Sequence, residues 1–138
     1  MGTLHKSAAS IGFFGDDLNP SEITSALGAD PTIGVSKGDQ WTTTSGTVHV
    51  APTGSWRVKA KRREPGDLDG QINDLLDGLS DDLVAWRSLA QRYRGRAFCG
   101  VFLGSGNEGM TLRSETLTRL GERGLLIDFD IYGSEVPD

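Results

Sequence analysis

The sequence predicts an α+β domain: a mainly antiparallel sheet with helices packed on one face, ferredoxin-like in outline. Three observations predict it. Short segments of alternating polarity, such as SWRVKAK, read as strands with one solvated face. Between them, apolar residues recur at helical spacing within bounds set by Asn, Asp, Pro and Gly. The order of elements runs strand, helix, one or two strands, helix pair, strand, strand, helix, strand.

Each element has its own justification. From Ala8 to Phe14, Ala9, Ile11 and Phe13 alternate with Ser10, Gly12 and Phe14, which predicts a strand. Asn19 is placed to cap a helix that opens on Pro20, carries Ile23, Ala26 and Leu27, and ends at Gly28. Residues 29–54 are rich in Gly, Pro, Thr and Ser and read as loop, with a short strand at Thr47–Val50. In Ser55–Lys61, Trp56, Val58 and Ala60 share one face, and Arg57, Lys59 and Lys61 the other.

Pro65-Gly66 breaks the chain. Leu68, Ile72, Leu75, Leu76 and Leu79 then form a helical stripe. Ser80 is the expected cap of a second helix, which carries Leu83, Trp86, Leu89, Ala90 and Tyr93 and closes at Gly95. Ala97–Leu103 is apolar on both faces, as a central strand is. Met110–Arg113 is a possible strand, SETLTRLGERG a short helix, and LLIDFDIYG the last strand. In that strand Ile127, Phe129 and Ile131 are expected to face inward and Asp128, Asp130 and Tyr132 outward. The basic face of residues 57–61 and the acidic face at 128–130 are expected to be neighbours across the sheet.

Length and charge bound the function. The 138 residues fit a single domain, 1–138, with enough surface to bury a core without metal or disulfide. There are 14 basic and 19 acidic residues, a net charge of -5, which argues against general nucleic-acid binding and against an anionic membrane. Cys99 is the only cysteine, so no intramolecular disulfide forms. No apolar run approaches the ~20 residues of a membrane span. The expectation is a soluble, cytoplasmic protein.

Two constellations invite a chemical reading. Asp16 and Asp17 follow the first strand, and with Asp128 and Asp130 they would offer oxygen ligands to Mg²⁺. The plainer reading is a turn before a helix, because neighbouring strand residues point to opposite faces and Asp tolerates turn geometry. Gly104, Gly106 and Gly109 form G-x-G-x-x-G after a strand, with Asp128 near the distance a dinucleotide fingerprint requires. Against it, the following helix starts at Ser114, which leaves the glycines in a loop. His5 and His49 stand alone, and no Ser sits in a nucleophile elbow. Trp41 and Trp56 flank the polar loop, where they either staple it to the body or line a ligand site.

FGDDLNPSEITSALG (Phe14–Gly28), PTIGVSKGD, GSWRV, the leucine-rich helical pair and LLIDFDIYG together resemble an uncharacterised family of small bacterial proteins, a domain-of-unknown-function family. The resemblance covers nearly the whole chain. It implies that the GDD segment, Lys37-Gly38, Trp56 and FDIY define one domain type. It also implies a variable hairpin at LGSGNEG, and it carries over no catalytic residue. The chain departs from the family pattern, in which an aromatic or basic residue often precedes the Lys-Gly pair; here the stretch is Ile33-Gly34-Val35-Ser36.

The expected function is a non-enzymatic module that binds another protein, with an immunity or regulatory role as one form of it. No cofactor, metal or catalytic residue is assigned. The residues expected to serve binding are Asp16, Asp17, Lys37, Trp41, Trp56, Asp128 and Asp130. The alternatives are a small-molecule or metal-dependent enzyme built on the aspartates, and a nucleotide-binding protein built on the GSGNEG loop.

Overall fold

A computed structural model describes residues 2–134. In chain order the elements are β1 (Gly2–Thr3), β2 (Lys6–Gly15), α1 (Pro20–Leu27), β3 (Ile33–Val35), β4 (Gln40–Thr42), β5 (Val48–Val50), β6 (Gly54–Lys59), α2 (Leu68–Asp77), α3 (Leu83–Arg92), β7 (Arg94–Phe102), β8 (Glu108–Gly109), α4 (Ser114–Glu122) and β9 (Leu126–Tyr132). The class is α+β, with helices on one face of a five-stranded sheet ordered β3-β6-β2-β7-β9. Three of its four pairings are antiparallel, and β7 and β9 run parallel. A parallel pair needs a crossover, and α4 supplies it. β4 and β5 form a separate hairpin arm, and β1 pairs with β8.

Local chemistry explains the helices. The Asn19 side chain accepts a hydrogen bond from the Ser21 amide, Pro20 opens α1, and Gly28 ends it with φ 75°. Asp67 caps α2 by accepting from the Gly70 amide. The cap of α3 is Asp82, which accepts from the Val84 and Ala85 amides; the expected cap, Ser80, lies two residues earlier and accepts from the Asp82 amide. α3 ends at Tyr93, so Gly95 belongs to β7 rather than closing the helix. A Cβ at Gly95 would press into the Phe13 and Leu125 side chains, which is why the strand needs glycine there. Met110–Arg113 forms no strand.

The pleat of β2 divides the molecule. Ala9, Ile11 and Phe13 point to the helices and are buried, with Trp56 of β6 and Ala97, Cys99 and Val101 of β7 beside them. Ile23, Leu27, Ile72, Leu76, Trp86 and Leu89 close this core from the helical side. Each large side chain so buried is worth about 1.5–3 kcal/mol. A polar pin fixes α2 to the sheet: the buried Ser7 hydroxyl donates to Gln71 Oε1 at 2.6 Å, and Gln71 Nε2 donates to the Ser7 and Lys61 carbonyls.

Among the described residues, the other face of the sheet carries no helix. The alternation expected in β9 holds, but the inward residues are not all covered: Phe129 is 45% exposed and Ile131 61%. β9 is an edge strand, and the helices stop short of its far end. The basic face of β6 and the acidic face of β9 share the open side, yet β2 and β7 lie between them, so they are not neighbours. No helix among the described residues is long and apolar enough to cross a membrane.

Candidate functional site

Register determines what the open face presents. Gly12 of β2 is opposite Arg57 of β6 on one side and Arg96 of β7 on the other. Two residues along, Phe14 lies opposite Ser55 and Arg94; two residues back, Ser10 lies opposite Lys59 and Phe98. The middle of β2 is therefore small, and long cationic and aromatic side chains from both neighbours lean over it. The Arg57 and Arg96 guanidinium carbons stand 5.7 and 4.8 Å from the Phe14 ring centre, and Arg96 also covers Phe98 at 4.8 Å. Lys6 and Arg62 lie over Phe102, which stacks on Tyr132 at 4.7 Å. Contacts of this kind hold cations against rings without neutralising them.

The charge on this face is unbalanced. Arg96 donates to Asp128 Oδ2 at 2.9 Å, and Arg94 approaches the same oxygen at 3.7 Å. Among the described residues, Lys6, Arg57, Lys59 and Arg62 have no carboxylate within ion-pair distance. Arg57 is half-buried, and its pKa is lowered by burial and by the like charge of Arg96. Two hollows meet at Arg57. One, of about 480 Å³, lies between β3, the hairpin arm and β6. The other, of about 230 Å³, runs over Ser10 and Gly100 toward Tyr132.

The residues singled out in the sequence scatter across this frame. Asp16 is exposed at the end of β2 and accepts from Lys37 Nζ at 3.2 Å; hydrogen bonds from Thr53 and then Lys37 lower its pKa. Asp17 is exposed in the same turn and makes no side-chain hydrogen bond or ion pair among the described residues. Trp41 is 45% exposed on the hairpin arm, stacks on His49 at 5.5 Å and walls the larger hollow. Trp56 is fully buried on the helix side, and its indole N–H donates to Thr24 Oγ1 at 3.0 Å. It serves the core. Asp130 accepts from the Tyr132 hydroxyl at 2.6 Å.

The aspartates do not converge. Asp128 is in register with Phe98 and so with Ser10, six residues and roughly 20 Å along β2 from Asp16. Among the described residues, no group of three His, Cys, Asp or Glu side chains is arranged to hold a metal ion. The glycine loop is also occupied from within. Glu108 accepts from the Gly104 and His5 amides and from the Ser105 hydroxyl, and these bonds, the Gly104 one foremost, lower its pKa. The N-terminus of α4, where a pyrophosphate would sit, holds the Asp69 carboxylate, which accepts from the Arg113 amide and from Thr116.

The sequence reading missed Arg96, Phe14, Phe98 and Phe102 as members of one surface. The signal was present: in RGRAFCGVF, Arg94, Arg96 and Phe98 alternate with Gly95, Ala97 and Cys99. Treating Ala97–Leu103 as apolar on both faces hid an aromatic, cation-covered side that is open to solvent.

No curated protein and no solved structure matches the chain significantly. A family model does, over residues 4–134, which include every strand of the large sheet and all four helices, and on that match the chain belongs to the family described as a domain of unknown function, DUF4279.

Proposed function

We propose that the protein is a non-enzymatic binding module whose open sheet face receives an acidic surface of another protein. An immunity or regulatory role is one form such binding takes. The observation that supports the reading is a sheet face that, among the described residues, is bare of helices and carries four cations without carboxylate partners, on a chain whose net charge is -5. Charge so placed against the overall balance steers an oppositely charged partner to one face. The rings beneath the cations supply apolar area at low entropic cost. A polyanion such as nucleic acid fits less well, because the rest of the acidic surface repels it beyond the few cations of this face.

The test is a cross-linking capture from the native host, with wild type compared with a Lys59→Glu/Arg62→Glu variant and an Asp30→Lys control. The reading predicts a protein captured by wild type and by the control and lost by the double variant. Equal capture by all three would overturn it, as would capture abolished by nuclease.

A further inference from the structure

We infer that the larger hollow, between the hairpin arm and the sheet, is a binding site for a small organic carboxylate with an aromatic or branched apolar body. The inference concerns a small-ligand site that shares Arg57 with the protein-binding face proposed above but is tested without the protein partner. Its floor comes from register. Ile33 and Val35 of the edge strand β3 lie opposite Arg57 and Ser55, and Phe14 flanks Ser55 on the other side. The hairpin arm adds Trp41 and Pro52 as walls. The hollow of about 480 Å³ falls in the range of small-molecule sites, which are mostly apolar with a few polar groups that fix orientation.

Two polar groups meet that description. Ser55 is 6% exposed, lines the hollow, and its hydroxyl has no hydrogen-bond partner among the described residues. Its cross-strand neighbours are Phe14 and Val35, which offer none. A buried hydroxyl with unused hydrogen-bonding capacity is uncommon and calls for a partner. Arg57 lines the same hollow, its Nε is buried without a partner, and its guanidinium donates no hydrogen bond to the described residues. Arg96, its neighbour across Gly12, is neutralised by Asp128; Arg57 is not.

The donor set selects the anion. A planar guanidinium fork beside one hydroxyl matches the two oxygens of a carboxylate. A phosphate, with three terminal oxygens and up to two charges, would leave acceptors facing Ile33, Val35 and Pro52. The Trp41 indole, half open to solvent, gives the wall on which a flat or branched body packs.

The probe is phenylacetate, with phenylacetamide as its uncharged counterpart of the same shape. The readout is the indole N–H signals in ¹⁵N-correlated spectra. Trp56 and Trp86 donate theirs to Thr24 and Ser80 inside the body, whereas Trp41 stands at the hollow. We expect the Trp41 signal to shift saturably with phenylacetate, and phenylacetamide to bind at least roughly tenfold more weakly, as loss of a charge-assisted bond requires. Arg57→Gln should abolish that preference, and Ser55→Ala should weaken the acid alone. Val35→Trp, which fills the hollow from an edge strand, should block both probes and keeps the test decisive should Arg57→Gln fold poorly. Equal affinity for acid and amide, a Trp41 signal that stays still, or unchanged binding by Val35→Trp would overturn the assignment.

Discussion

Arg57 and Arg96 face each other across Gly12, and both lean over the ring of Phe14. Burial lowers the Arg57 pKa, and repulsion between two guanidinium groups so close adds to it. The arrangement depends on the absence of a side chain between them. A Cβ at Gly12 would run into the Trp56 carbonyl oxygen and the Arg57 side chain. Gly12→Ala should therefore cost about 1–3 kcal/mol in urea unfolding, the usual range for overpacking a filled site. It should also displace Arg57, which a shift of the neighbouring Phe14 ring signals would report.

Asp128 offsets the repulsion by taking Arg96 at 2.9 Å and standing near Arg94. Among the described residues, Asp128→Asn leaves four arginines, Arg57, Arg62, Arg94 and Arg96, on one face without a carboxylate. The expected loss is about 1 kcal/mol, because the pair is only partly buried. The diagnostic is salt. Screening weakens repulsion between like charges, so raising NaCl from about 20 mM to about 500 mM should recover stability in Asp128→Asn and change wild type less. A thermal melt of both proteins at the two concentrations checks this, and parallel shifts would mean that the arginines do not interact.

Cys99 looks toward the core from the middle of the sheet, in register with Ala9 and Phe129. Burial pushes its thiol pKa up to about 12. The thiolate is the reactive form, so the native protein at pH 8 should resist a disulfide exchange reagent. One equivalent of thiol should react once urea unfolds the chain. Rapid reaction under native conditions would mean that β7 opens locally far below the global unfolding free energy.

Local features of the fold were legible because local chemistry made them. Asn19 and Gly28 bound α1 as read, and Trp56 and Val58 alternate with Arg57 and Lys59 as read. Pairing across long stretches was not legible. Arg57 and Arg96 meet only because β2 lies between their strands, and no local pattern states that order. The same holds for the expected contact between the basic and acidic faces, which two intervening strands prevent. Ser80 and Asp82 are both good cap residues two positions apart, and the choice went to the one whose carboxylate reaches two amides. The hollow at Ser55 was invisible because a serine in a strand has no signature. Its meaning lies in the apolar neighbours that leave its hydroxyl unpaired.

Asp69 gives a prediction in which pH separates a structural carboxylate from a bystander. It belongs to the first turn of α2 but serves the start of α4, accepting from the Arg113 amide and side chain at 2.9 Å and from the Thr116 hydroxyl at 2.6 Å. Burial acts to raise its pKa, but the hydrogen bonds from Thr116 and Arg113, with the Arg113 charge, outweigh it, and the pKa falls below its ordinary 3.8. A carboxylate whose folded pKa is depressed adds stability that is fully present above its unfolded pKa and is lost as pH falls through the folded value. Asp69→Asn should thus cost about 2 kcal/mol at pH 7, the scale of hydrogen bonds to a charged group. That cost should shrink below the ordinary 3.8, where the unfolded chain binds a proton that the folded carboxylate still refuses. Asp17→Asn, in an exposed turn without side-chain partners among the described residues, should change stability by less than about 0.5 kcal/mol at either pH. Urea midpoints of the three proteins at pH 7 and at the lowest pH where wild type stays folded decide the matter: a pH-independent cost for Asp69→Asn would show that α4 is held by packing and not by this charge.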